Sequence, residues 1–383
     1  MTPTTSPSST LGDGHGYIAG AEEVREPPLH LLTLSTDGSV DQLDLLDESW
    51  TTIGTVENVT DVVTDGPFVF ASEESSGTVS IIDSGMWTRD HEDHFHYYRA
   101  EPRVVGSLEG QGRATISAGS SATGVFFAES GVGVMLDNAA LSDGKIVESS
   151  RSVGQPHAGS LVQLGTSMLV TTSEHGRASA VEVRDANGAS VDGGAACTDV
   201  GVPISTSVGV AYPCADGALL ATVDGDVIQF ERIPYPESSA PPADFFAARE
   251  GRPSVAGLAG DQGVWLLDTR ERTLTLIPTD VPLLQVTAVD DADGHIVGLT
   301  TDGRVTVLSA DGATLGRTEP LLPETLQDPD LLAGVDLVAD QQRAYLNAPA
   351  ERLLIEIDFA DSARIARTFA TLTVPQFFAE TGR

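Results

Sequence analysis

The sequence predicts an all-β propeller, and three observations carry that prediction. One short pattern recurs along the whole chain, helical periodicity is nearly absent, and the two ends read as complementary parts of one repeat. The pattern is a turn rich in Gly or Asp, followed by about six residues dense in Val, Ile and Leu. Copies begin at Ser39, Thr78, Gly131, Ala178, Gly225, Arg272, Arg304 and Arg352, so successive starts differ by 39, 53, 47, 47, 47, 32 and 48. The mean interval is about 45, the length of one four-stranded blade. Eight copies predict eight blades. Seven is the alternative, because the interval of 32 is short enough to hide a miscounted unit.

The other strands of a unit can also be placed. From Asp293, DGHIVGLTTDGRVTVLSADGATLGRT reads strand, turn, strand, turn, strand, with Asp-Gly at the turns. From Ala344, AYLNAPAERLLIEIDFADSARIARTF repeats the plan. Strands this short are unstable alone; stacking small sheets radially buries both faces and leaves few open edges. Residues 242–250 and 321–332 read as short helical turns within connections. At the C-terminus, Thr373–Gly382 looks like a first strand with no blade after it, while the unit from His30 lacks a first strand. Pairing the two ends would close the ring.

Composition fits one large repeat domain. The chain has 383 residues, 40% hydrophobic but only 5% aromatic, and 39 glycines suit many tight turns. We expect a single propeller domain at 29–383 and a flexible leader at 1–28, monomeric in solution. The formal charge of −35 repels phosphate backbones and anionic membranes, so nucleic acid is a poor partner. No apolar run is long enough to span a bilayer. The start, MTPTTSPSST, resembles the tether that follows a processed signal or lipid anchor, and it points to an extracytoplasmic protein. Cys197 and Cys214 do not form a CxxC pattern; outside the cytoplasm they read as a structural disulfide, inside it as two buried thiols.

The longest interval, 53 residues, has its surplus in one place, GMWTRDHEDHFHYYRAEP between Asp83 and Arg103. His91, His94 and His96 are three of the chain's eight histidines and stand among Asp90, Glu92 and Asp93. Zinc takes three or four nitrogen, oxygen or sulfur ligands in a tetrahedron. His94 and His96 point to one side if the segment is extended, His91 can fold back from the preceding turn, and Asp93, another residue or water could complete the shell. A solvated polar loop is the bland reading, but so dense a histidine cluster favours a metal site. Imidazole with carboxylate also suits Ni, Cu(II) or Fe(II).

His157, in GQPHAG, is a second candidate, because first strands line the central channel; a capped strand end is its structural reading. His175, in TSEHGRAS, lies in a turn expected on the same face, where it could approach His157; a plain surface turn is the alternative. His15, His30 and His295 read as structural or exposed. Catalytic motifs are missing: there is no GxSxG, HExxH, P-loop or GxGxxG before a helix. Acidic pairs such as Asp290–Asp291 are turn residues by position.

DHEDHFHYYRAEP (Asp90–Pro102), QPHAG (Gln155–Gly159), Cys197 with AYPCADGALL (Ala211–Leu220), and the closing AYLNAPAERLLIEID…VPQFFAETGR together resemble the AztD family, over about residue 30 to Arg383. These are bacterial periplasmic zinc metallochaperones with a β-propeller fold. The resemblance implies a carrier, not an enzyme, that holds zinc and passes it to the solute-binding protein of a zinc ABC transporter. His91, His94, His96 and His157 carry over. One departure stands out: the family places a histidine and a glutamate soon after the first cysteine, and here CTDVGVPISTS has neither. A site needing that histidine would lose a ligand, with His175 as a possible substitute. A metal-independent propeller binding a protein or surface glycan is the competing reading; a propeller enzyme with a metal in its channel ranks third.

Overall fold

The structure, a computed structural model, describes residues 21–90, 95–119 and 121–382. β1 (Glu22–Val24) opens the described chain, inside the stretch expected to be leader. In β2 (His30–Leu34) alternation does the packing: Leu32 and Leu34 enter one hydrophobic cluster and Leu31 another. Successive side chains on a strand leave opposite faces, so one short strand supplies two cores. β3 (Ser39–Asp44) and β4 (Trp50–Thr55) follow. The closing strand Phe377–Thr381 pairs antiparallel with β2, from His30↔Thr381 to Leu34↔Phe377. This sheet therefore takes its first strand from the C-terminus and the other three from the N-terminus, as the complementary ends suggested.

The second sheet contains β5 (Asp61–Thr64), β6 (Phe68–Glu73) and β7 (Thr78–Asp83). Its fourth strand comes later, because a hairpin of β8 (Met86–Asp90) and β9 (Phe95–Arg99) intervenes before β10 (Arg103–Glu109) pairs back on β7. β1 adds to β9, giving the separate order β1-β9-β8. Six more antiparallel meanders occupy 114–153, 161–196, 204–234, 254–278, 283–317 and 337–370, each of four strands except the three-stranded 254–278. Among the described residues this makes seven four-stranded and two three-stranded sheets.

Excluding the hairpin sheet, each sheet shares a buried cluster with the next. Phe70 and Ile81 meet Val125 and Phe127; Phe126 meets Leu161 and Met168; and so on round. The final cluster joins Tyr345, Leu354 and Phe369 to Leu31 and Leu43, so the last sheet packs on the first. A closed series of small meanders with its core between neighbours is a β-propeller. Truncating a buried leucine such as Leu32 to Ala typically costs about 2–5 kcal/mol.

Seven of the eight repeat copies fall on third strands. The copy at Gly225 instead lies at the turn into a fourth strand, Val227–Pro234, after the third strand Gly217–Asp224. Both are apolar strands meeting at an Asp-Gly turn, so the pattern alone does not separate them. Of the expected helical turns, 321–332 contains a 3-10 turn at Thr325–Gln327 and a short helix at Pro329–Leu332. Residues 242–250 form no helix; Ala247 and Ala248 bridge to Ala256 and Ala288 instead, where sheet neighbours offer their backbone partners. A short helix at Asn138–Ser142, unforeseen, starts where Asp137 accepts from Ala139 N and Ala140 N. Cys197 and Cys214 form a disulfide in the core between two sheets. Among the described residues no helix is long and apolar enough to cross a membrane.

Candidate metal centre

The hairpin is built by its own small core. Trp87 and Tyr98, directly opposed across β8 and β9, are both buried. Its base is pinched shut: Ala100 N donates to Gly85 O at 2.7 Å, and a Cβ on Gly85 would meet Ala100 O at 2.3 Å. Gly85 also has φ +72°, so glycine is required there twice over. Two further contacts tie the hairpin to the ring: Thr88 Oγ1 donates to Gly382 O at 3.3 Å, and Arg99 lies 3.4 Å from Asp44.

His91, Asp93 and His94 lie outside the described residues. His96 is on β9, opposite Arg89 on β8. Its Nδ1 stands 2.6 Å from Oε1 of Glu23, and its ring stacks on Tyr98 with centroids 6.3 Å apart. Sequence reasoning missed Glu23, because it treated 1–28 as leader. The only signal was a Glu-Glu pair followed by Val, too short to stand out as a strand. β1 brings this carboxylate over by pairing Glu22 with Arg99, Glu23 with Tyr98 and Val24 with Tyr97.

Next to the hairpin, Glu22, His30, Gln42, Asp44, Met86 and Arg99 line a polar cavity of about 340 Å³. His30 is buried, donating from Nδ1 to Pro28 O at 2.7 Å with Nε2 3.4 Å from Asp44. Burial is the main cause that holds its pKa below the usual imidazole value, against the pull of Pro28 O and Asp44. It fits its structural reading.

His157 is buried against the edge of Phe126. Both ring nitrogens are engaged, Nδ1 with Gln155 O at 2.7 Å and Nε2 with Thr171 Oγ1 at 3.0 Å. In this conformation neither nitrogen is open to a metal, and the ring holds the entry to a first strand. Gly159 permits the arrangement, since a Cβ there would meet His157 Nε2 at 2.4 Å. His175 is exposed at φ +54°, in the turn after Ser167–Glu174. Gly176 and Arg177 of that turn line a cavity of about 390 Å³ with Gly159 and Ser160, so the two segments do share one face. Among the described residues, His157 and His175 belong to no converging set of metal-binding side chains. The set that does converge is Asp291, Asp293 and His295, where the sequence predicts only a turn and a structural or exposed histidine. Cys197 and Cys214, spent on each other, offer no thiolate.

Elsewhere, burial displaces four carboxyls upward among the described residues: Asp65 to about 7, Asp83 and Asp336 to about 6, and Asp61 in the same direction. None joins the hairpin cavity.

No family model matches the chain. Its fold is that of known structures. Apo AztD from Citrobacter koseri superposes with a TM-score of 0.80 at 19% identity, covering 92% of this chain and 97% of that one. A second structure of Citrobacter koseri AztD gives 0.78 at 20% identity, covering 93% and 97%. BamB from Moraxella catarrhalis gives 0.52 at 15% identity, covering 85% and 93%. Over nine-tenths of its length, this chain therefore shares the fold of Citrobacter koseri AztD.

Proposed function

We propose that this protein is an extracytoplasmic zinc carrier of the AztD type, with eight blades, in which the hairpin between β7 and β10 holds the ion. The observation that carries the reading is Glu23 Oε1 at 2.6 Å from His96 Nδ1. A carboxylate on Nδ1 fixes the tautomer that presents Nε2 to a metal and raises its basicity. His91, Asp93 and His94 supply the remaining ligands, five, three and two residues before His96 along the chain. His157 and His175 stand as a weaker second set, since His157 would first have to release Gln155 O or Thr171 Oγ1.

The carrier role follows from the kind of site. Imidazoles and carboxylates on a hairpin joined to the ring at its base release zinc more readily than a cage of thiolates. The fold likeness to AztD and the sequence resemblance support delivery to the solute-binding protein of a zinc ABC transporter. The disulfide supports an oxidising compartment. The protein acts as a monomer and binds cargo without converting it.

Zinc titration of the demetallated protein at pH 7.5, with and without His94→Ala and His96→Ala, tests the reading. Each substitution should weaken binding at least tenfold. Zinc near zero after loading would favour a metal-independent interaction propeller instead, and binding indifferent to both changes would take the ion away from the hairpin.

A further inference from the structure

We infer a second cation site, separate from the hairpin, in which Asp291, Asp293 and His295 bind a divalent transition-metal ion. The three residues lie in the connection between strands Leu283–Ala288 and Ile296–Thr300. One ligand atom from each lies within 4.8 Å of the other two. Two ligands of one zinc-class ion sit at most about 4.4 Å apart, since each bond is about 2.0–2.2 Å. In a tetrahedron they sit roughly 3.3–3.6 Å apart, so the three side chains must draw in by up to about 1.4 Å to share one ion.

The turn is preshaped. Asp291 Oδ1 accepts from His295 N at 2.9 Å, Gly294 N donates to Asp291 O at 3.1 Å, and Val289 N donates to His295 O at 3.0 Å. Asp290 and Gly294 take positive φ, 51° and 67°, which turns the chain back on itself. His295 is only 7% exposed and its ring packs 5.5 Å from Phe359, so the imidazole cannot swing away. Asp291 Oδ2 stands 2.6 Å from His295 Nδ1, so without an ion one proton bridges two atoms that a bound cation would share.

Turn capping accounts for Asp291 and His295 but leaves Asp293 unexplained. It is exposed, and among the described residues it makes no hydrogen bond or ion pair. The neighbouring Asp290 is neutralised by Arg252, with Nε 3.0 Å from Oδ2, whereas no Lys or Arg lies within 4.0 Å of Asp291 or Asp293 among the described residues. One imidazole, two uncompensated carboxylates and open positions for water suit zinc, manganese or cobalt better than calcium, which prefers oxygen alone.

The site opens on the hairpin's side of the ring. In an antiparallel meander, the connection from first to second strand and that from third to fourth leave the same edge. The former holds Asp291–His295, and the latter is where β8 and β9 insert. Asp340, from the corresponding first connection of the next sheet, lines a cavity of about 510 Å³ with Val24 and Arg99 beside the hairpin. The two sites therefore lie on one face of the ring.

The test uses full-length protein carrying His91→Ala, His94→Ala and His96→Ala, so that its outcome is independent of the hairpin. After demetallation, zinc binding is followed by calorimetry, and cobalt(II) binding by its visible absorption. One equivalent should remain, and Asp293→Asn added to the triple variant should weaken it at least tenfold without moving the metal-free Tm. His295→Gln should shift or abolish the cobalt spectrum; if it fails to fold, Asp293→Asn decides alone. Retention of no equivalent, an equivalent indifferent to Asp293→Asn, or binding only at millimolar zinc (an adventitious ion only) would overturn the site.

Discussion

Glu23 and His96 stand 73 positions apart in the chain, yet a carboxylate oxygen of one lies 2.6 Å from a ring nitrogen of the other. The three-residue strand β1 makes that meeting, by pairing with β9 at Glu23↔Tyr98. Replacing Glu23 with Gln keeps the shape and removes the charge. We expect zinc affinity at the hairpin to fall about tenfold, the usual effect of losing a carboxylate behind a ligating histidine. Competition with a chromophoric chelator measures it, and the metal-free Tm should not change.

The disulfide has a purely structural part to play. Both cysteines are buried in the cluster with Leu169, Val181, Tyr212 and Leu219. Opening a loop of this size releases roughly 3 kcal/mol of chain entropy in the unfolded state. Cys197→Ser with Cys214→Ser should lower denaturant stability by about that much, while the number of zinc ions bound stays the same. A lost zinc equivalent would mean the sulfurs take part in metal binding.

Stability and zinc binding should respond to pH in opposite directions. Asp65, Asp83 and Asp336 are held protonated by burial up to about pH 7, 6 and 6. A carboxyl with its folded value above its unfolded one gives stability that is present at low pH and lost as pH climbs, here over about pH 4 to 7. The charge of −35 adds self-repulsion in the same direction. His30, its folded value depressed chiefly by burial, acts the other way: the unfolded chain takes its proton first, so stability falls as pH drops below about 6.5. These three carboxyls, Asp61 raised in the same direction by burial, and the net charge outweigh one histidine, so Tm should be higher at pH 5.5 than at pH 7.5. Zinc affinity should fall over the same change, because imidazoles protonate. Scanning calorimetry and zinc titration at both values check the pair, and Asp65→Asn should flatten the Tm profile.

The closing strand is a third handle. Residues 377–381 supply the first strand of a sheet whose other strands begin at His30, and Phe378 and Ala379 feed two different clusters. Ending the chain at Pro375 should leave β2 with an open edge and two exposed cores. The expected result is a broadened, lower-temperature unfolding transition with dye-binding apolar surface. An unchanged, cooperative transition would show that the ring does not depend on this closure.

Much of the architecture was legible because propeller strands declare themselves locally. TVSIID and RLLIEI alternate or run apolar between turn residues, and turn chemistry sets their spacing. The copy at Gly225 misled by one strand, since third and fourth strands of a hairpin carry the same local signal. The histidine-rich insertion could be read from its surplus length. Glu23 could not, because its role comes from long-range pairing of a segment with no pattern of its own. His295 was passed over for a related reason: a lone histidine after Asp-Gly looks like any turn until Asp291 and Asp293 are folded around it.

The most direct test of the account is an anomalous difference map from zinc-loaded crystals of the full chain. Zinc should appear as a peak about 2 Å from a ring nitrogen of His96, with Glu23 on the other nitrogen. A map with zinc bound elsewhere and none at the β8–β9 hairpin would contradict it.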